Sequence, residues 1–132
     1  KDDFYKNRFQ NTKFLLHDFT KKKLNQKFDG IYSLDVLEHI SKKKEKIFIK
    51  NIKHSLNSNG VLILGIPSLE SQKHASKWSK IGHINCKNKK DFRNFLSKYF
   101  HNVFMFSMND EIVHTGYDAM SHYLIGIACN KK

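Results

Sequence analysis

Val61-Leu62-Ile63-Leu64-Gly65-Ile66 is a nearly unbroken apolar run, closed by the only proline of the chain, Pro67. A run without polar alternation marks a strand covered on both faces, as in a parallel sheet flanked by helices. It is too short for a membrane helix, and no other apolar stretch approaches the ~18 residues that a span needs. The rest of the chain must therefore supply neighbouring strands and covering helices.

It has the patterns to do so. Before the run, Ser41 to Leu56 reads as a helix with Ser41 as N-cap. Phe48, Ile52 and Leu56 recur every four residues beside Ile49, giving one apolar face. Asn57-Ser58-Asn59-Gly60 ends that helix, with Gly60 suited to a left-handed stop. Upstream, Phe28 to Leu34 is strand-like, and so is Lys13 to Leu16, which ends in His17-Asp18. Residues 1–11 read as a loop or a helix end.

After Pro67, residues 68–90 are polar, with His74, Trp78 and His83 interspersed. A connection of that length reads as a lid or binding loop with a short helix in it. Asp91 caps a second helix, 92–99. Strands 103–108 and 122–129 follow, joined by a helix-free connection over 112–121. That pair predicts an antiparallel ribbon at one edge. The order β, β, α, β, loop, α, β, β is that of a doubly wound α/β domain.

A chain of 132 residues makes one domain. The net charge of +12 points at first to nucleic acid. Only Arg8 and Arg93 among the 24 basic residues are arginine, and the lysines are spread along the whole chain. Phosphate recognition favours Arg forks, so nucleic acid is not the favoured partner. Cys86 and Cys129 lie far apart, which predicts free thiols in a reducing cytoplasm. No signal-peptide pattern opens the sequence.

The stretch richest in chemistry is Phe28 to Ile40. Its apolar strand ends in Asp35-Val36-Leu37-Glu38-His39-Ile40. Ligands in open α/β sheets sit beyond the carboxyl ends of the strands. Asp35 either caps the next helix or meets a ligand. His39 either shapes the first helical turn or acts as a general base at neutral pH. Asp18 either closes a turn or accepts hydrogen bonds from a ligand.

In this order, these segments resemble the C-terminal two-thirds of a class I S-adenosylmethionine-dependent methyltransferase of the small-molecule, type 11/12-like kind. His17-Asp18-Phe19 looks like the end of that family's third strand. Phe28 to Ile40 looks like its fourth strand with a D-V-L-E-H tail. Leu56 to Leu64 looks like its L-x-P-G-G-x-L turn, with Ser58 for the proline and Asn59 for one glycine. Gly82-His83-Ile84-Asn85 looks like the G-H-x-x loop before the last helix.

The resemblance implies a partial Rossmann-like methyltransferase sheet, mostly parallel with an antiparallel last strand, and S-adenosyl-L-methionine as cofactor. It places Asp18, Phe19, Ser33, Leu34 and Asp35 on the cofactor. Glu38, His39, Pro67, Ser68 and His83 fall on a small-molecule methyl acceptor, with His39 as the candidate catalytic base. It assigns no metal, although some RNA 2′-O-methyltransferases hold a divalent ion on a related Glu-x-x-Glu-His run with another His. The alternatives are an RNA methyltransferase and a non-catalytic binding module of the same fold. The family's G-x-G-x-G turn is absent, as is the acidic residue after its second strand. With no initiator Met, residues 1–132 read as a single, N-terminally truncated methyltransferase domain carrying half of a cofactor pocket.

Overall fold

The computed structural model describes residues 11–110 and 112–132. The expected loop or helix end over 1–11 therefore lies, but for its last residue, outside the described residues. Five strands form one sheet: β1 (Phe28–Leu34), β2 (Leu56–Pro67), β3 (Phe100–Asn109), β4 (Ile112–His114) and β5 (Tyr123–Lys131). Their order across the sheet is β1-β2-β5-β3-β4. β1 runs parallel to β2, and the β2/β5, β5/β3 and β3/β4 pairs are antiparallel. The helices are α1 (Lys42–Ser55), α2 (Lys77–Gly82) and α3 (Lys89–Ser97).

The mixed α/β architecture follows the sequence pattern, with four corrections. First, the core lies on one face of the sheet only. The row Ile31–Leu62–Ala128–Val103 across β1, β2, β5 and β3 is buried or half-buried. It packs in one cluster with Phe48, Ile49 and Ile52 of α1 and Phe92, Phe95 and Leu96 of α3. The next row, Tyr32–Ile63–Ile127–Phe104, faces the other way, and Tyr32, Ile63 and Phe104 are exposed. The apolar run of β2 thus marks a sheet with two apolar faces, of which α1 and α3 cover one.

Second, no strand forms over Lys13–Leu16, where Phe14, Leu15 and Leu16 are exposed. A strand needs a partner's backbone donors and acceptors, and among the described residues β1 pairs with β2. Third, the closing antiparallel pair is not an edge ribbon. β5 inserts between β2 and β3, and the short β4 takes the edge.

Fourth, the helix ends differ in detail. Ser41 stands at the N-cap position of α1 without a side-chain cap bond. Asn88, not Asp91, caps α3, its side chain accepting from the Asp91 N–H at 2.7 Å. Gly60 is no left-handed stop, since none of the described glycines has positive φ. It lies in an irregular stretch of β2, where a Cβ would come within 3.1 Å of the Phe28 and Asn57 carbonyls. The long connection after Pro67 does hold a 3₁₀ turn, Glu70–His74, and the short α2.

Candidate functional site

The carboxyl ends of β1 and β2 point the same way, and the turn after β1 sets the site. Asp35 adopts φ 55°, a left-handed conformation that reverses the chain. Its N–H is shared between the Gly65 carbonyl at 3.3 Å and the Tyr123 hydroxyl at 3.2 Å. A 3₁₀ turn, Leu37–His39, follows. Val36 is its N-cap and no side chain caps it, so Asp35 does not serve as a cap. Leu37 and Ile40 enter the core on either side and draw Glu38 inside, where it is 0% exposed.

Neither Glu38 carboxyl oxygen has a hydrogen-bond partner among the described residues. His39 Nε2 lies 3.5 Å from Glu38 Oε1. Burial pushes the Glu38 carboxyl above its ordinary range, and its own backbone N–H and His39 reverse this only in part. The lid brings in a third group. Ligating atoms of Glu38, His39 and His83 all lie within 4.8 Å of one another.

Both imidazoles are held by backing groups that only accept. His39 Nδ1 is 2.9 Å from the Gly82 carbonyl, and His83 Nδ1 is 2.8 Å from Gln72 Oε1. Each Nδ1 therefore carries a proton and donates, and in the neutral ring Nε2 keeps the lone pair. This backing is how a protein prepares imidazoles to ligate a metal or to accept a proton. A buried carboxylate and two Nε2 lone pairs form a donor set suited to a divalent ion. Asp35, which the sequence grouped with them, falls outside that set.

The other residues singled out from sequence fall on two sides of this cluster. Phe19, Ser33 and Leu34, with Ile31, Val36 and Phe48, line an apolar cavity of about 360 Å³ beside β1. Phe19 is fixed there by its carbonyl, which accepts from Asn51 Nδ2 at 2.8 Å. Asp18 closes a turn, Oδ1 accepting from the Thr20 N–H at 2.8 Å and the Thr20 hydroxyl at 2.7 Å. Those bonds hold its carboxyl below the ordinary range. On the other side, Pro67, Gln72, His74, His83, Met120 and His122 help line a cavity of about 530 Å³. Ser68 is buried beneath it, donating to the Ser121 carbonyl at 2.5 Å and accepting from the Ser71 N–H at 3.0 Å. Trp78 is 79% exposed and anchors no packing.

Sequence reading missed Gln72 and Tyr123, and it took Asn85 only as part of a loop motif. Asn85 donates its N–H to the Glu38 carbonyl at 3.0 Å and ties the lid to the turn. The one available signal was its place two residues after His83. Tyr123 gives none, because only the β2/β5 register brings it to Asp35.

No protein-family model matches the chain, and no curated protein matches it. Solved structures do match in fold. The small RNA methyltransferase HEN1 superposes over 80% of this chain and 14% of its own, with a TM-score of 0.61 and 16% identity. The S-adenosylmethionine-dependent methyltransferase SibL matches over 88% and 35%, with a TM-score of 0.62 and 9% identity. The N-methyltransferase NodS from Bradyrhizobium japonicum WM9, in complex with S-adenosyl-L-homocysteine, matches over 95% and 59%, with a TM-score of 0.59 and 16% identity. The chain has the class I methyltransferase fold, and it spans less than two thirds of the length of each of these proteins.

Proposed function

We propose that this chain is the acceptor-side part of an S-adenosylmethionine-dependent methyltransferase domain that methylates a small molecule. The observation that carries the reading is the convergence of Glu38, His39 and His83 beside the 530 Å³ cavity, beyond the carboxyl ends of β1 and β2. Ligands of open α/β sheets bind at that end.

The residues present fit one side of the cofactor. Phe19, Ser33 and Leu34 offer a flat apolar slot for a base. Asp18 stays ionised, and its Oδ2 faces only Lys21 at 3.6 Å, which leaves it able to accept from an exocyclic amine. S-adenosylmethionine, when bound, supplies a methyl group already activated on a sulfonium. The protein's share is then orientation, worth at most roughly 7–11 kcal/mol. His39 Nε2, half-exposed and bearing a lone pair, takes the acceptor's proton. Pro67 and His83 bound the acceptor, and Glu38 sets the charge behind it.

The glycine-rich turn is expected from a preceding segment of a longer polypeptide. The edge of β1 that no described strand pairs and the exposed row Tyr32, Ile63 and Phe104 fit such a cover. Cys86 and Cys129 are free, in keeping with a cytoplasmic setting, and no helix of the described residues is long and apolar enough to cross a membrane. Titration calorimetry of the full-length protein with S-adenosylmethionine or its demethylated product tests the reading. Binding is expected; no heat with either ligand sinks it and leaves the non-catalytic module.

A second reading, methylation of RNA, draws on the same cluster, since a divalent ion on Glu38, His39 and His83 would present a charge to a ribose or phosphate. It requires RNA affinity that falls steeply with salt. Weak, salt-independent association would reject it.

A further inference from the structure

We infer that Glu45, Asn85 and Lys87 form a positioning clamp that sets His83 against Glu38 and His39. The inference rests on the reading of that cluster as the site, and none of the three residues belongs to it. Lys87 is 8% exposed and Asn85 1% exposed. Lys87 Nζ donates to Glu45 Oε2 at 2.8 Å and to Asn85 Oδ1 at 2.9 Å. Asn85 Nδ2 closes the triangle, donating to Glu45 Oε2 at 2.9 Å. The Lys87 ammonium also lies 5.2 Å from the centre of the Phe95 ring.

The triangle joins three parts of the fold. Glu45 stands in the first turn of α1, Phe95 is in α3, and Asn85 and Lys87 belong to the lid's return segment. The backbone of that segment is pinned at both ends. The Asn85 N–H donates to the Glu38 carbonyl at 3.0 Å, and the Lys87 carbonyl accepts from the Leu69 N–H at 3.0 Å. His83 lies two residues before Asn85. Its imidazole meets that of His39 edge-on, with ring centres 5.1 Å apart. A slip of the 85–87 segment by one residue would turn Asn85 away from Glu45 and carry His83 off the cluster.

Stability does not require the charges. A buried ion pair replaced by apolar groups of like volume is often neutral or better. What the triangle adds is a single arrangement, because the ammonium spans Glu45 and Asn85 while the Asn85 amide donates to Glu45 and, at 3.4 Å, to the Leu37 carbonyl. Burial pushes the Glu45 carboxyl up, and the hydrogen bonds from Lys87 and Asn85 more than reverse it, so the clamp is charged at neutral pH.

The test is an NMR coupling measured on the full chain at fixed pH. Glu38→Gln is introduced into the parent and into the double variant Glu45→Gln/Lys87→Met, which removes both charges together and so guards against misfolding. In the parent, Glu38→Gln should displace the His83 imidazole signals. In the double variant, with the melting temperature within a few degrees of the parent, that displacement should fall by at least half. An undiminished displacement in the folded double variant overturns the clamp. So does a His83 signal that ignores Glu38→Gln in the parent, because the clamp would then have nothing to position. Zn²⁺ titration of the same proteins separates the readings. Absence of Zn²⁺ binding to the parent counts against an ion on the cluster, while the imidazole coupling still decides the clamp.

Discussion

Glu38→Gln should stabilise the ion-free protein while removing the site's charge. Both carboxyl oxygens of Glu38 are buried with no hydrogen-bond partner among the described residues, and its own backbone N–H and His39, with Nε2 3.5 Å from Oε1, offset the burial only in part. An unsatisfied buried group costs about 1–3 kcal/mol, and more when it is charged. Glutamine keeps the volume, carries no charge, and can donate its amide to the Nε2 lone pair. A gain of about 1–2 kcal/mol at pH 7.5 follows, which raises the melting temperature by roughly 3–8 °C in a domain of this size.

The pH dependence fixes the sign. Burial raises the Glu38 carboxyl above the ordinary 4.5. Between that value and its raised folded value, the native state holds a proton that the unfolded chain has lost. Stability therefore falls as pH rises through that window and is level above it. The advantage of the glutamine variant should vanish below the ordinary carboxylate value and be complete at neutral pH. The assay is thermal melting in a chelating buffer at pH 4, 6 and 7.5, repeated with Zn²⁺. Metal at a hundred times its Kd would add about 2.7 kcal/mol to the parent and far less to the variant. A loss of 1 kcal/mol or more for the ion-free variant at pH 7.5 would refute the reasoning, since Glu38 would then have a stabilising partner.

Three further outcomes are expected. Gly65→Ala should cost about 1–3 kcal/mol, because its Cβ would lie 2.7 Å from Leu34 Cδ2 and from the Tyr123 ring; a strand glycine without that crowding would gain from alanine, so denaturant unfolding reads the sign directly. Asp35→Val should cost about 1–2 kcal/mol at φ 55°, while Asp35→Gly should be tolerated in the same assay. Cys86, whose thiol burial pushes up to about 11, should alkylate at pH 8 roughly a hundredfold more slowly than a cysteine peptide, and a rate equal to the peptide's would show that it is not buried.

The fold was legible wherever local pattern decides it. The four-residue spacing of Phe48, Ile52 and Leu56 placed α1 to within a residue of each end. The run to Pro67 placed the second half of β2, whose start from Leu56 lies in the stretch read as the helix end and stop. Pairing partners were not legible. Nothing in Lys13–Leu16 says that it forms no strand, and nothing in 122–129 says that it inserts beside β2, because both depend on which other strands are present. The site divides the same way. Glu38 and His39 could be read from one strand end, together with Asp35, which the structure leaves outside the cluster. His83 was named, but its convergence on Glu38 depends on Asn85 and Lys87 reaching Glu45 some forty residues away.

The structure leaves two things uncompensated, and they ask for different partners. The orphaned Glu38 carboxyl lies with two imidazoles whose ligating atoms are within 4.8 Å of it and of each other, so a single cation or proton answers it. The exposed row Tyr32–Ile63–Phe104 and the edge of β1 that no described strand pairs are extended, and no ion answers them. A sheet edge with unpaired backbone and an apolar face beside it is a template for more chain. The two needs should therefore be met independently. Zn²⁺ should raise the melting temperature without quenching a hydrophobic dye bound at the open face, whereas a covering segment that completes the sheet should abolish dye binding and leave the affinity of Glu38, His39 and His83 for the ion unchanged. If the ion alone closed the face, the cluster and the sheet edge would be one coupled element, and the division of the domain into an acceptor side and a cofactor side would fail.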